Sequence, residues 1–333
     1  MQLSSYIPSV RGIAKFSACL SIVGLTAVAV GLYFGQTYLI YPAYLPPRSR
    51  EEVSTPADYE IPYDDLELES ADGTRVKAYL IKQRKVFVGH NAAFVPQDLG
   101  AVDSKLTDDE YASTRPTIIF FHANAGNLGH RLPLARVFYA RMRCNVLMLS
   151  YRGYGRSEGY PTEQGIRLDA QATLDYLRTH PLLHSTQVIL YGQSLGGAVC
   201  IDLASRNPEE IHAIILENTF QSVSHVARKV MPWVTPFLFL CTEKWRSEES
   251  LKKIPAIIHM LFMSGLKDEL VPPEQMKALW EIARRDVKGL SKRQWEEFPG
   301  GTHNDTYVQP EYWSKVKEFI ESVTSEQVPE KSS

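Results

Sequence analysis

Six apolar runs of strand length recur between residues 117 and 301 of this 333-residue chain, with amphipathic segments between them. Most of these runs are continuous rather than alternating, which is typical of strands that are covered on both faces. Such strands joined by helices indicate a mostly parallel sheet flanked by helices. The runs lie at 117–121, 145–150, 187–192, 213–217, 256–265 and 295–301. The sequence therefore predicts a three-layered α/β fold.

The segments around these runs support the same fold. In "TEQGIRLDAQATLDYLRTH" the apolar residues recur at helical spacing and share one face, namely Ile166, Ala170, Leu174 and Leu177. Upstream, the stretch "DLELESADGTRVKAYLI" predicts two strands joined at Asp72-Gly73, and an Asp-Gly pair is a strong short-range signal for a hairpin turn. We therefore expect an antiparallel hairpin ahead of the parallel strands.

The N-terminal region carries a separate apolar segment. Residues 16–47 contain no Asp, Glu, Lys, Arg or His. More than about 20 apolar residues at ~1.5 Å each are enough to cross a hydrocarbon core of ~30 Å, and a cleaved signal peptide usually has only about 7–15. Tyrosines gather toward the end of the segment, as at membrane interfaces. Residues 16–41 are therefore predicted to be a transmembrane anchor rather than a signal peptide or a buried core helix.

The orientation of this anchor stays open on sequence grounds. Arg11 and Lys15 precede it and Arg48 and Arg50 follow it, so the basic residues near its two ends balance. A signal-anchor that leaves the short basic end in the cytosol is favoured, which predicts a single-pass protein of the endoplasmic reticulum or another endomembrane. The four cysteines are too scattered for a disulfide framework and do not decide the compartment.

The remaining boundaries follow from composition. Residues 1–15 and 326–333 are expected to be tails, and residues 59–325 the α/β domain. Prolines and charges at 42–58 suggest a linker with few packing demands, so that a chain beginning near Glu51 should fold. Residues 84–115 lose all periodicity and are expected to be a surface insertion. Residues 219–253 are expected to form a small helical cap.

The charge balance excludes one class of partner. The chain has 36 basic and 38 acidic residues and a formal net charge of -2, without long blocks of one sign. Nucleic acid is therefore not expected as a partner.

The stretch "VILYGQSLGGAVCIDLA" joins a strand to a helix almost without a loop. This geometry forces Ser194 into a conformation with positive φ, and glycines at 192 and 196 relieve the crowding around it. The hydroxyl then projects at a helix N-terminus, whose free N–H groups stabilise negative charge. The pattern is the G-x-S-x-G nucleophile elbow, and the alternative is a serine that caps an ordinary helix.

A serine nucleophile needs a base and a group that orients the base, and both follow other strands in the expected order. Asp268 lies in the loop after the strand that ends near Ser264, and His303 lies in the loop after the last strand. A helix cap is the alternative role for Asp268, but Pro272 already marks the next helix start. Glu217, at the end of the preceding strand, is the rival acid.

The same chemistry needs donors for an oxyanion. The backbone N–H of Leu195 comes with the elbow, and the small-residue turn "HANAGN" at 122–127 should supply a second donor, for which Asn124 N–H is our choice. His122 at the start of this turn is interpreted as a structural brace rather than a base. No metal or cofactor is required.

Six motifs resemble one known family in order and spacing: "FFHANAGN", "SYRGYGRSEG", "YGQSLGGAVC", "ENTF", "SGLKDELVPP" and "GGTHNDT". They resemble the α/β-hydrolase superfamily, and within it the membrane-anchored bud-emergence (Bem-type) branch, to which mammalian α/β-hydrolase-domain protein 13 is related. The resemblance implies a single-pass membrane serine hydrolase with Ser194 as nucleophile, Asp268 as triad acid and His303 as base. One departure is Ala123, where many relatives carry glycine, and its methyl group is tolerable only if φ is negative.

The cap gives the remaining indication of function. Residues 230–240 bring together large apolar side chains, which suggests an acyl-chain substrate, while the alternative is that they only pack the cap onto the body. We therefore expect hydrolysis of a carboxylic ester or thioester of an acyl substrate, such as a lipid. A serine peptidase on the same residues, or a non-catalytic membrane scaffold in polarity or trafficking, are the alternatives. The sequon at Asn304 is expected to stay unmodified beside this site.

Overall fold

An eight-stranded sheet forms the centre of the computed structural model, which describes residues 10–86, 105–285 and 291–325. The strands are β1 (Asp64–Glu69), β2 (Arg75–Ile81), β3 (Thr117–Phe121), β4 (Asn145–Leu149), β5 (Val188–Gln193), β6 (Ala213–Glu217), β7 (His259–Gly265) and β8 (Arg293–Phe298). Their order is β1-β2-β4-β3-β5-β6-β7-β8. The hairpin β1–β2 is antiparallel and also pairs antiparallel with β4, and the other pairs are parallel. The predicted α/β fold is confirmed.

Helices connect the strands and cover both faces of the sheet. They are α1 (Val10–Ile40), α2 (Asp108–Ser113), α3 (Leu132–Ala140), α4 (Glu163–Thr179), α5 (Leu195–Arg206), α6 (Val223–Val230), α7 (Ser247–Leu251), α8 (Pro273–Ala283) and α9 (Tyr312–Thr324). In α4 the four apolar residues predicted to share a face are all buried. A 3-10 helix, Pro232–Leu240, follows α6 in the segment between β6 and β7.

Two strand boundaries differ from the sequence expectation. β7 begins at His259 rather than at residue 256, because the Ile258 N–H bonds the Pro255 carbonyl in a turn. β8 begins earlier, at Arg293, and ends at Phe298, where the Gly301 N–H closes a turn onto the Phe298 carbonyl. β8 is an edge strand with polar, half-exposed side chains, so its start carries no apolar signal.

The apolar N-terminal segment forms α1, which begins before residue 16. On length and composition alone, Ala14–Ile40 is long and apolar enough to cross a membrane, with a mean hydropathy of 2.0. Of the expected surface insertion, residues 87–104 lie outside the described residues, and α2 packs Ala112 into the body. Residues 1–9 and the tail at 326–333 also lie outside the described residues.

The segment after α1 corrects the expectation of a linker at 42–58. Ser49 and Val53 are buried, and the side-chain amide of Asn127 donates to the carbonyls of Ser49 and Glu52 at 2.8 and 2.9 Å. The Arg50 guanidinium donates to the Ser157 carbonyl at 2.9 Å. Prolines and charges gave this segment the composition of a solvated linker, but its contacts are made largely by backbone carbonyls, which leave no pattern in the sequence.

Tyr41, at the junction with α1, fixes the start of this segment. Its hydroxyl donates to Glu243 Oε2 at 2.6 Å and accepts from the Trp245 indole N–H at 2.8 Å, and only 2% of the residue is exposed. The end of α1 is therefore joined to the segment between β6 and β7 by a buried polar contact.

Removing this segment is expected to destabilise the domain. A chain that begins at Glu51 loses the buried Tyr41 ring, worth ~1.5–3 kcal/mol, and several hydrogen bonds worth ~1 kcal/mol each, whereas a chain that begins at Gly35 keeps them. At ~2–4 °C per kcal/mol, the shorter chain should unfold on the order of 10 °C lower. Thermal unfolding followed by circular dichroism measures the difference. Equal midpoints would restore the linker interpretation.

Candidate active site

Ser194 occupies the single position between β5 and α5. Its backbone has φ 54° and ψ −115°, the positive φ that the sequence predicts for an elbow. The end of β6 holds this conformation, since the Ser194 N–H donates to the Glu217 carbonyl at 2.9 Å and the Thr219 hydroxyl donates to the Ser194 carbonyl at 2.7 Å. The serine side chain therefore stands at the C-terminal edge of the parallel strands and at the N-terminus of a helix.

Glycines around Ser194 allow this tight turn. A Cβ at Gly192 would overlap the carbonyl of Gly196, and a Cβ at Gly196 would overlap the carbonyl of Phe121. Both glycines were expected from the sequence. Gly197, which was not, lies where a Cβ would overlap the Thr219 side chain.

The structure brings together the three side chains that the sequence singled out. His303 Nε2 lies 2.9 Å from Ser194 Oγ, and His303 Nδ1 lies 2.8 Å from Asp268 Oδ2. Only 6–7% of each residue is exposed. Because a carboxylate only accepts, the Asp268 contact assigns the proton to Nδ1 and leaves Nε2 to accept from the serine hydroxyl.

Asp268 is fixed by a second set of contacts. Its other oxygen, Oδ1, accepts the backbone N–H groups of Leu270 and Val271 at 3.0 and 2.7 Å. The carboxylate is therefore held by the backbone of its own loop on one side and faces His303 with the other oxygen.

Glu217, the rival acid, has different partners. Its fully buried carboxylate accepts from Tyr191 at 2.7 Å, from Gln193 Nε2 at 3.0 Å and from the Tyr312 hydroxyl. Burial raises the pKa of Glu217, and the two tyrosine hydroxyls oppose that rise. The geometry thus places Asp268 rather than Glu217 at the imidazole Nδ1.

The loop after β3 begins against the elbow. The Phe121 carbonyl approaches Gly196 in the first turn of α5, so residues 122–127 start beside Leu195. His122 is buried, its Nδ1 bonds the Ala123 carbonyl at 2.7 Å, and burial lowers its pKa to about 3. An imidazole that stays neutral and bonds its own loop fits the brace that the sequence suggested. Ala123 is not among the residues with positive φ, so its methyl group causes no backbone strain.

Asn124 links this loop to the end of α1. Its Oδ1 accepts from the Tyr154 hydroxyl at 2.6 Å, and its Nδ2 donates to the carbonyl of Ile40, the last residue of α1. Two residues further along, the Gly126 N–H donates to the Leu45 carbonyl at 2.7 Å. The backbone of the loop is therefore positioned by the apolar helix and by the segment that follows it.

Two further residues support the site and were not assigned a role from the sequence. Asn218 has φ 45°, its Nδ2 donates to the Thr302 carbonyl and to Thr306, and its Oδ1 accepts the Gly265 N–H. It thereby connects the loop that carries His303 to the end of β7. Gln193 donates to Glu217. Both lie inside motifs that were recognised, "ENTF" and "YGQSLGG". The signal available for Asn218 was an asparagine directly after a buried strand, because asparagine tolerates a positive φ.

No group of three or more His, Cys, Asp or Glu residues close enough to hold a metal ion occurs within residues 10–86, 105–285 and 291–325. Among Ser194, Asp268 and His303, the imidazole and the carboxylate are hydrogen-bonded to each other.

Comparison with known proteins gives a consistent result. A family model described as alpha/beta hydrolase fold matches residues 116–240. The protein bem46 of Schizosaccharomyces pombe is 38% identical over 314 residues, which cover 94% of each chain. The uncharacterized membrane protein YNL320W of Saccharomyces cerevisiae is 34% identical over 90% of this chain and 94% of its own.

Among solved structures, an esterase of Pyrococcus furiosus, Pf2001, superposes with a TM-score of 0.61 at 18% identity, covering 82% of this chain and 98% of the esterase. At that identity the likeness supports the fold. The segment from β3 to the cap, which carries Ser194, is the part that the family model matches.

Proposed function

This chain belongs to the α/β-hydrolase-fold family, in the branch of bem46, and on that premise we propose that it is a membrane-anchored serine hydrolase. Its substrate is a carboxylic ester or thioester of an acyl group. Ser194 is the nucleophile, His303 the general base and acid, and Asp268 the residue that orients His303. Two consecutive hydrogen bonds support this proposal most directly. Ser194 Oγ lies 2.9 Å from His303 Nε2, and His303 Nδ1 lies 2.8 Å from Asp268 Oδ2.

The acylation step uses all three residues. Ser194 Oγ attacks the substrate carbonyl carbon while its proton moves to His303 Nε2. Asp268 stabilises the imidazolium that forms, because its Oδ2 accepts a hydrogen bond from the His303 Nδ1–H. The tetrahedral intermediate then collapses, and the leaving alcohol or thiol takes the proton from His303.

Deacylation repeats the proton transfers with water. His303 Nε2 removes a proton from a water molecule, whose oxygen attacks the acyl-enzyme carbonyl. The second tetrahedral intermediate expels Ser194 Oγ, which recovers the proton from His303, and the carboxylic acid leaves.

Backbone N–H groups of Leu195 and Asn124 are proposed to bind the oxyanion. Leu195 is the first residue of α5, and the first N–H groups of a helix have no carbonyl partner inside it. The loop that contains Asn124 starts against the same turn of α5. Donors that are already in place where charge develops lower the barrier without reorganisation.

The proposal includes a cellular setting. Ala14–Ile40 is long and apolar enough to cross a membrane, and its proposed role is that of a single-pass anchor in the endoplasmic reticulum or another endomembrane. The similar yeast protein YNL320W is named a membrane protein, which agrees with this placement.

Labelling with a fluorophosphonate probe tests the proposal. The native full-length protein in detergent should react, and mass spectrometry of the digest should locate the adduct on the peptide that contains Ser194. Heat-denatured protein is the control and should not react, because the base is then no longer within reach. An unlabelled native protein would favour the scaffold alternative, and cleavage of aminoacyl anilides but not of esters would favour the peptidase.

A further inference from the structure

A narrow apolar groove lies between the end of α1 and the cap. One wall consists of Leu32, Leu39 and Ile40 of α1, and the other includes Val223 and Ala227 of α6 and Leu238 of the 3-10 helix. The groove has a volume of about 70 Å³. Apart from Gln36 its lining is apolar or thiol-bearing.

Gln36 does not make the groove polar, because its amide is already paired. Its Oε1 accepts the Thr242 N–H at 2.7 Å and its Nε2 donates to the Tyr33 carbonyl at 2.8 Å. A ligand of this groove is therefore bound by burial of apolar surface rather than by hydrogen bonds.

Both walls of the groove are linked to residues that surround Ser194. The carbonyl of Ile40, a groove residue, accepts from the side chain of Asn124 in the proposed oxyanion loop. On the other wall, Val223 follows closely on Thr219, whose hydroxyl bonds the Ser194 carbonyl. A hydrogen bond on one wall and a short stretch of chain on the other thus connect the groove to the surroundings of the elbow.

The position of the groove along α1 places it at a membrane surface. α1 has 31 residues and is about 46 Å long, whereas the hydrocarbon core is ~30 Å thick. If the hydrocarbon core of the bilayer begins at Ala14, it spans about 20 residues of α1 and ends near Phe34, at the level where the groove begins. On the 3-10 helix beside it, Trp233 and Phe239 are 59% and 78% exposed. Exposed aromatic side chains at this level are typical of contact with the interface.

We propose that this groove receives the acyl chain of the substrate, and that the chain enters from the bilayer between α1 and the cap. The proposal rests on the proposed hydrolase function and specifies its substrate as a membrane-borne acyl ester. A cavity of about 70 Å³ takes only a short part of the chain, so the rest of a long chain stays in the bilayer.

Hydrolysis of p-nitrophenyl esters of increasing chain length by the full-length protein in detergent tests the groove. Each methylene that enters should raise kcat/KM about fourfold, until the groove is full. Ala227→Phe fills the groove and should lower the ratio of kcat/KM for the octanoate over the acetate at least tenfold. Leu238→Ala enlarges it and should move the preferred length upward. Val230→Phe is the matched control, because Val230 lies on α6 outside the groove lining and should keep the wild-type ratio.

A second arm tests entry from the bilayer. In phosphatidylcholine vesicles that contain the protein, Phe239→Glu should lower the rate of hydrolysis of a long-chain p-nitrophenyl ester at least fivefold. In detergent micelles it should leave the chain-length profile as in wild type. Equal rates in vesicles would overturn bilayer entry.

The outcomes separate this inference from the proposed function. A protein that is labelled at Ser194 and cleaves the acetate, but shows no dependence on chain length or no change of ratio in Ala227→Phe, overturns the groove and leaves the hydrolase. Absence of both labelling and ester cleavage overturns the hydrolase itself.

Discussion

Replacing Ser194 with alanine is expected to lower kcat for a p-nitrophenyl ester by on the order of 10⁶-fold, with the fold intact. The variant has no nucleophile that His303 Nε2 can activate, since that nitrogen faces Ser194 Oγ at 2.9 Å. Binding and the oxyanion donors remain, so a small residual rate above water is expected.

The backbone of this variant should not change. Serine and alanine both carry a Cβ, and the positive φ is held by the bond from the residue 194 N–H to the Glu217 carbonyl. The thermal midpoint should therefore equal that of the wild type, measured by circular dichroism beside the kinetics. Activity within tenfold of wild type would mean that another group is the nucleophile.

Asp268→Asn should have the second largest effect, a loss of about 10⁴-fold in kcat. An amide can present its NH₂ group to His303 Nδ1, which favours the tautomer with the proton on Nε2, and that nitrogen then cannot accept the serine proton. The contacts from Leu270 and Val271 to the other oxygen remain available, so the loop should keep its place.

Glu217→Gln is the matched control for this change. Glu217 is a buried carboxylate at the end of the neighbouring strand, but its partners are Tyr191, Tyr312 and Gln193 rather than the imidazole Nδ1. Its amide variant should keep kcat within a few-fold. The reverse ranking of the two variants would identify Glu217 as the acid.

The central sheet could be predicted because its strands are buried on both faces. Every residue of β3 and β7 is buried, and the apolar runs 118–121 and 260–263 within them are continuous, so they need no periodicity to be recognised. The start of β8 could not be predicted in this way, since Arg293 and Gln294 begin an edge strand that is half exposed.

Ser194, Asp268 and His303 could also be placed from the sequence. Parallel strands bring their C-terminal ends to one edge, so residues that follow β5, β7 and β8 had to meet there. The geometry of Ser194, Asp268 and His303 agrees with that placement, and their catalytic roles remain a proposal.

The contacts that hold the site in place could not be predicted, and the reason is physical. Asn127 donates to the backbone carbonyls of Ser49 and Glu52. Because every residue type has a backbone carbonyl, such acceptors leave no signal in the sequence. Likewise, the role of Asn218 depends on an amide at positive φ that bridges two loops, and the sequence shows only an asparagine after a strand.

The insertion of the cap between β6 and β7 has a consequence for how this protein diverges from its relatives. The two strands are direct neighbours, with Ala213 opposite His259, so their pairing is independent of the residues between them. Natural variation can therefore accumulate in the cap while the sheet and Ser194 stay unchanged. The contacts of Tyr41 with Glu243 and Trp245 and of Gln36 with Thr242 limit this variation, because they join the end of the cap to α1 and the residue after it. Exchanging residues 221–240 between relatives should thus transfer substrate preference, whereas a longer exchange must carry the partner of Tyr41 with it.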